Sequence, residues 1–292
     1  MKRHKGTVHR AGCFAIGASM PSSSGKPCPR QQGTDLTYCL GMLLESGLVL
    51  MADTRTNAGI DNFSTFRKLH VLAGAEDRQI FAATAGNLSL SQSVISNLRE
   101  DQLPARTTEP GRCLADVPTM FGAAQLVGNA VHKARETIGE ALAREHIDND
   151  VELLLGGRIG QEPLRLFLVY AIGNFIECTA EAPFLQIGET KYGRPILDRV
   201  LDYRTPLADA VKIGCLSFDS AMKSNLGVAL PIDVAVLQAV ADNPPLTRRI
   251  EPDDRYFEDI DRRWGESLFA AMEELPNPPW MIEPENVRKM RG

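Results

Sequence analysis

Three residues in this chain have the side chains and spacing for nucleophilic catalysis. Thr37 opens an apolar run, Asp53 lies sixteen residues further on past a glycine turn, and Lys68 opens the next apolar run. A threonine hydroxyl is a weak nucleophile until a base takes its proton, and nearby charged groups tune such a transfer. Each residue alone has an ordinary explanation. Threonine packs well on a strand, aspartate after a strand forms turns, and lysine at a strand start guards an edge. Their joint spacing, with Gly41 and Gly47 at the fifth and eleventh places counted from Thr37, singles them out.

The flanking pattern shows which elements must position them. Residues 37–44 and 48–52 read as buried strands of a hairpin around Glu45-Ser46-Gly47. Asp53-Thr54-Arg55 ends the second strand, and a polar loop follows through Asn62. Residues 68–72 and 80–84 predict a second hairpin. Gly86-Asn87 then opens a helix to about Glu100, with Leu88, Leu90, Val94, Ile95 and Leu98 at helical spacing. Pro104 to Arg112 reads as a loop, and Asp116-Val117-Pro118 as the cap of a longer helix to about His146. Strands at 152–155 and 164–170 join through a turn at Gly156-Gly157-Arg158-Ile159-Gly160, and 175–179 continues the meander. Helices at 196–203 and 207–222 precede a late strand at 234–237. Strands, helices, strands, helices in that order predict an α+β, four-layer αββα sandwich.

Composition narrows the function classes. The 292 residues are 43% hydrophobic and 24% charged, with a formal net charge of -5, ordinary for a globular chain. No run approaches the ~18 apolar residues of a membrane-spanning helix. The mild acidity argues against a nucleic-acid binder, so neither membrane nor nucleic acid is an expected partner. Six cysteines without a C-x-x-C pair, and five scattered histidines, predict reduced thiols in the cytoplasm with no metal site and no cofactor. The glycines at 156–160 suggest a phosphate loop but lack its Lys-Ser/Thr ending, which leaves the turn reading. Glu162-Pro163 and the charges from Glu258 to Arg263 read as solvated.

Residues 1–36 differ from the rest. Six basic residues stand against the single acid Asp35, beside Ser22-Ser23-Ser24-Gly25 and prolines at 21, 27 and 29, without periodicity. They read as a leader: a disordered segment, a propeptide, or sequence upstream of the true start. Residues 37–242 form the main domain. Residues 243–292 read as a carboxy-terminal arm laid on the domain or a neighbouring subunit, with Trp264 and Trp280 as apolar anchors.

The register counted from Thr37 is similar to a known family. Gly41, Gly47, Ala52-Asp53-Thr54-Arg55, Lys68 two residues before His70, and Thr84-Ala85-Gly86 together resemble the proteasome-type N-terminal nucleophile hydrolases. Within them, the chain is most similar to the Anbu branch. The residues that carry this are Thr37 to Gly41, Arg55 to Gly59, Ser64 to Lys68, Gly173 to Glu177, Gly188 to Gly193, Arg248 to Pro252 and Pro278-Pro279-Trp280. The likeness runs from 37 to about 280.

The resemblance implies a threonine peptidase that hydrolyses amide bonds through an ester on Thr37, acting on peptides or unfolded protein. The base would be the α-amine of Thr37 itself, with a reference pKa of about 7.7–8.0. Lys68 would disfavour protonation of that amine, and Asp53 would hold Lys68 charged and oriented. The backbone N–H of Gly86, at a helix start, would meet the developing oxyanion. Gly188, Glu189 and Thr84 would neighbour the site, with Thr84 and Phe66 walling a substrate pocket. The family pattern also implies self-assembly into an open ring or a helical homo-oligomer.

This chain departs from the family in two places. Gly188-Glu189-Thr190 stands where proteasome subunits carry glycine-serine-glycine, and a glutamate beside the amine would raise its pKa. Asp219, Ser220 and Ser224 are the candidates for the family's second aspartate-serine pair. The mechanism also needs a free amine on Thr37. Gly33-Thr34 cannot supply the nucleophile, because counting from Thr34 shifts Asp53 and every glycine out of register. Leu36 is what a TTG or CTG start codon gives when read internally, which favours translation from position 36. A propeptide cut at Leu36-Thr37 is the second choice. Two other functions stay open: a ring-forming scaffold with little turnover, and a small-molecule amidase on the same fold.

Overall fold

Helix and strand periodicities in this chain resolve into layers whose apolar faces meet in three cores. The computed structural model describes residues 37–57, 63–75, 77–100, 113–240 and 243–281. Residues 1–36, expected as a leader, residues 58–62 of the expected polar loop (with Ala58-Gly59 of the family segment) and the expected loop from Pro104 to Arg112 lie outside the described residues.

The chain begins with the hairpin β1 (Tyr38–Leu44) and β2 (Gly47–Asp53), followed by the short pair β3 (Arg55–Asn57) and β4 (Phe63–Thr65). β5 (Leu69–Ala75) and β6 (Arg78–Gly86) form the second hairpin, then come α1 (Leu88–Glu100) and α2 (Met120–Arg144). β7 (Val151–Ile159), β8 (Arg165–Val169), β9 (Phe175–Glu177) and β10 (Phe184–Gly188) make the second run of strands. α3 (Arg194–Val200), α4 (Leu207–Ser224), β11 (Ile232–Gln238), β12 (Leu246–Ile250) and α5 (Arg255–Glu274) complete the described chain.

All strand pairs among the described residues are antiparallel. One five-stranded sheet has the order β10-β1-β2-β11-β12, a second has the order β5-β6-β7-β8-β9, and β3 pairs with β4 alone. The period of two along a strand distributes each hairpin between two cores. In β2, Leu48, Leu50 and Ala52 face the second sheet, while Val49 and Met51 join Tyr38, Leu40 and Met42 beneath α3 and α4. In β6, Phe81, Ala83 and Ala85 share the inter-sheet core, whereas Ile80 and Ala82 pack under α1 and α2. Covered on both faces, these strands read as continuous apolar runs. The α+β, four-layer αββα sandwich follows directly.

Several local features differ from the sequence reading. The side chain that caps α2 is Thr119, which accepts from Gly122 N, and Glu162 Oε2 also accepts from Met120 N at 2.8 Å. Glu162 is therefore a helix cap and not a solvated loop charge. Gly156 to Ile159 lie inside β7, paired with β6, so only Gly160 remains at the turn. Pairing on both sides of β7 overrides the turn preference of its glycines. Within 243–292, β12 extends the first sheet beside β11, and α5 buries Phe257 against the outer core.

Candidate active site

β1, β2 and the entrance to β5 converge at one end of the sandwich. Thr37 precedes β1 and is half-buried, and by strand alternation it shares the inter-sheet face of Cys39. Lys68, buried at the start of β5, points its ammonium at three acceptors. Nζ donates to Thr37 Oγ1 at 2.7 Å, to Asp53 Oδ1 at 2.9 Å and to the main-chain carbonyl of Arg55 at 2.5 Å. An ammonium has three hydrogens, so these three bonds fix its orientation.

Asp53 is fully buried at the end of β2. Besides Lys68, its carboxylate accepts from Tyr38 N at 2.9 Å and Arg55 N at 3.1 Å. One side chain thereby ties the residue next to Thr37, the lysine and the turn after β2 together. Burial pushes the Asp53 carboxyl up to about 6, while Lys68 and the two backbone donors pull it down. A buried acid with its pKa above the unfolded value of 3.8 keeps a proton that the unfolded chain has released. Its contribution to stability is full below about pH 4, declines as pH rises toward 6, and is flat above. The difference in unfolding free energy between the parent and Asp53→Asn should therefore shrink across that window alone. Parallel stability curves from pH 4 to 6 would return the Asp53 pKa to its ordinary value.

Two of the predicted glycines, Gly188 and Gly86, are required by geometry. Gly188, at the end of β10, has φ +75°, and a Cβ there would stand 2.1 Å from the Thr37 carbonyl oxygen. Gly86, at the junction of β6 and α1, has φ +93°, and a Cβ would stand 2.4 Å from the Asp150 carbonyl. Asn87 caps α1 through Oδ1, which accepts from Ser89 N and Leu90 N. Gly86 and Gly188 both line a cavity of about 530 Å³, whose wall includes Asp148, Asp150, Glu152, Tyr170 and Asn174. Gly188, packed against the Thr37 carbonyl, thus shares this cavity with Gly86 at the start of α1.

Other predicted residues are placed as follows. Thr84 is buried, its N–H donating to Lys68 O at 3.0 Å, and Ala85 and Gly86 line the cavity where Thr84 does not. Phe66 is exposed at 37%, its N–H bonded to Thr54 O. Asp219 pairs with Lys223 at 3.5 Å, and its carboxyl is raised by burial and by Asp261 of α5. That puts its partners at the α4–α5 contact and not at Thr37. Glu189 is buried, and its backbone N–H donates to Thr37 O at 2.7 Å. Its carboxylate meets Asn225, one residue past Ser224. Sequence reading missed Asn225 and the Arg55 carbonyl. A main-chain ligand leaves no side-chain signal, and an asparagine at a helix end reads as a cap.

Solved structures of other proteins share this fold. Anbu (ancestral β-subunit) from Yersinia bercovieri is 41% identical, with a TM-score of 0.77 over 84% of this chain and 100% of its own. Anbu from Hyphomicrobium sp. strain MC1 is 39% identical, with a TM-score of 0.76 over 83% of this chain and 99% of its own. The helical assembly of the Anbu complex from Pseudomonas aeruginosa is 40% identical, with a TM-score of 0.76 over 84% and 99%. No family model and no curated protein matches the chain. Identity near 40% over the whole length of these relatives settles the kinship: the chain belongs to the Anbu (ancestral β-subunit) family.

Proposed function

We propose that this protein is a threonine-type amide hydrolase that cleaves peptides within a homo-oligomeric assembly, with Thr37 as its amino-terminal nucleophile. One observation carries the reading: Lys68 Nζ bridges Thr37 Oγ1 and the buried Asp53 carboxylate at 2.7 and 2.9 Å. A buried lysine and aspartate directed at a half-buried hydroxyl suit nucleophile activation better than fold stability, because burying two charges is costly.

The steps follow from this arrangement. Thr37 Oγ1 attacks the substrate carbonyl carbon while its proton passes to the α-amine of Thr37, directly or through one water. The oxyanion that forms is held by the N–H of Gly86, where the start of α1 adds a favourable dipole. Collapse breaks the C–N bond, and the leaving amine takes the proton from the α-ammonium. Water, deprotonated by the same amine, then cleaves the Thr37 ester and restores the hydroxyl. Lys68 orients Oγ1 throughout, and Asp53 holds Lys68.

Assembly is supported by two observations. The Pseudomonas aeruginosa relative is a helical assembly. The outer half of α5 and the segment after it present Leu268, Phe269, Met272, Leu275 and Trp280 to solvent in the single chain, an apolar surface of the kind that subunit contacts cover. Asp148, Asp150 and Glu152 on the cavity wall favour a cationic peptide over an anionic one.

The test begins with the intact mass and amino-terminal sequence of protein purified from its native host. Protein that starts at Thr37 should hydrolyse fluorogenic peptide amides, faster with lysine than with glutamate in the peptide. Protein retaining residues ahead of Thr37 should be inert, because its nitrogen is then an amide and not a base. Equal hydrolysis by both forms would remove the α-amine from the mechanism. An inert chain with a free Thr37 would leave assembly without turnover as the function.

A further inference from the structure

Glu189 has an unusual setting for a carboxylate. It is only 5% exposed, and a carboxylate withdrawn from water must be satisfied by donors. Three are supplied. Oε1 accepts from Lys191 N at 2.7 Å and Tyr192 N at 3.2 Å, and Oε2 accepts from Asn225 Nδ2 at 2.8 Å. The backbone N–H of Glu189 meanwhile donates to the Thr37 carbonyl at 2.7 Å. One residue thus holds the main chain of the nucleophile with its own backbone and organises a turn with its side chain.

Asn225 completes the connection. It is the residue at the carboxy-terminal end of α4, its N–H bonded to Ala221 O at 2.8 Å and its Oδ1 accepting from Gly227 N at 2.9 Å. With Oδ1 facing Gly227, the amide can offer Glu189 only its Nδ2 hydrogens. The turn after β10 is therefore tied to the end of α4 by an acid that only accepts and an amide that donates. A second link runs parallel to the first. Gln186 Nε2 donates to Tyr38 Oη at 2.7 Å, Tyr38 Oη lies 2.7 Å from Ser217 Oγ, and Ser217 Oγ donates to Gly193 O at 2.9 Å. Because Ser217 gives its proton to Gly193, Tyr38 must donate to Ser217. Both ends of the 189–193 turn are held from α4.

We propose that Glu189 and Asn225 are positioning residues for Thr37: an acid–amide clasp that anchors the turn whose backbone N–H fixes the nucleophile's carbonyl. Its catalytic consequence rests on the hydrolase reading above; its structural content does not. The clasp can be inverted with the bonds to Lys191, Tyr192 and Gly227 and the link between the two side chains all kept. Glu189→Gln alone sets an amide against an amide, and Asn225→Asp alone sets a carboxylate against a carboxylate. In the double variant, the new glutamine accepts from Lys191 and Tyr192 and donates to the new aspartate, which still accepts from Gly227.

The experiment is this double-mutant cycle on the purified protein, read by amide hydrogen exchange and by peptide hydrolysis. Each single variant should speed exchange at the amides of Glu189, Lys191 and Tyr192 about tenfold, and lower kcat about tenfold with KM little changed. The double variant should return both to within about threefold of the parent. Single variants with parental exchange and parental kcat would overturn the clasp. So would a lower melting temperature in the single variants without faster exchange at the Glu189 amide, since that describes packing and not positioning. If the single variants do not fold, a double variant with parental exchange supports the proposal and one that also fails to fold overturns it. A parent without turnover, whose exchange nevertheless follows the cycle, would keep the clasp and discard the hydrolase reading.

Discussion

Thr37→Ala should lower peptide hydrolysis at least about a thousandfold, because no other hydroxyl takes its place in the mechanism. The side chain lost is the one that accepts from Lys68 Nζ at 2.7 Å. Lys68 keeps its bonds to Asp53 and to the Arg55 carbonyl, so the fold should survive. The backbone link from Glu189 N–H to Thr37 O is untouched by the substitution. Assembly state, measured by light scattering, should match the parent. Thr37→Ser keeps the hydroxyl and should keep measurable turnover. Undiminished hydrolysis by the alanine variant would end the assignment of Thr37 as nucleophile.

Lys68→Met should abolish activity to a similar degree and also damage the fold. Lys68 and Asp53 form an ion pair at 2.9 Å with side-chain exposures of 6% and 0%. Removing one partner of such a pair leaves the other charge buried alone, at a cost of about 3–5 kcal/mol. Asp53, already raised to about 6 by burial, would lose the cation that pulls it down, and its pKa would rise further. An acid raised in this way stabilises the fold when protonated and loses that contribution as pH increases. The stability gap between the parent and Lys68→Met should therefore be smaller at pH 5 than at pH 8. Urea unfolding at the two pH values measures it. A gap independent of pH would show that Asp53 does not depend on Lys68. Lys68→Arg should rescue stability better than activity, because a planar guanidinium does not match three acceptors grouped around one nitrogen.

The two hairpins that carry the site were legible because both faces of their strands are covered. Leu48, Leu50 and Ala52 serve the inter-sheet core and Val49 and Met51 the outer one, so the apolar run is unbroken. β10 was not legible. Its five residues are mostly half-buried, and it is a strand because β1 pairs with it, Tyr38 opposite Gly188. β12 carries Thr247, Arg248 and Arg249 on an exposed edge beside β11, which reads locally as polar loop. α5 buries little beyond Phe257 and is held by the Asp254 cap and by pairs such as Arg262 with Glu266. Its charges were visible as solvated residues, but the element they belong to was not.

The sequence by itself determined the nucleophile candidate, its spacing to Asp53 and Lys68, and the order of layers, because these depend on residue type and local period. Tertiary structure alone decided that Lys68 reaches the Arg55 carbonyl, that Gly188, expected near the site, leaves no room for a Cβ against the Thr37 carbonyl, and that Glu189 meets Asn225 across thirty-six residues. Those are contacts to backbone or between distant segments. No local pattern encodes them: they arise only when β10 and the end of α4 are brought to the same end of the sandwich.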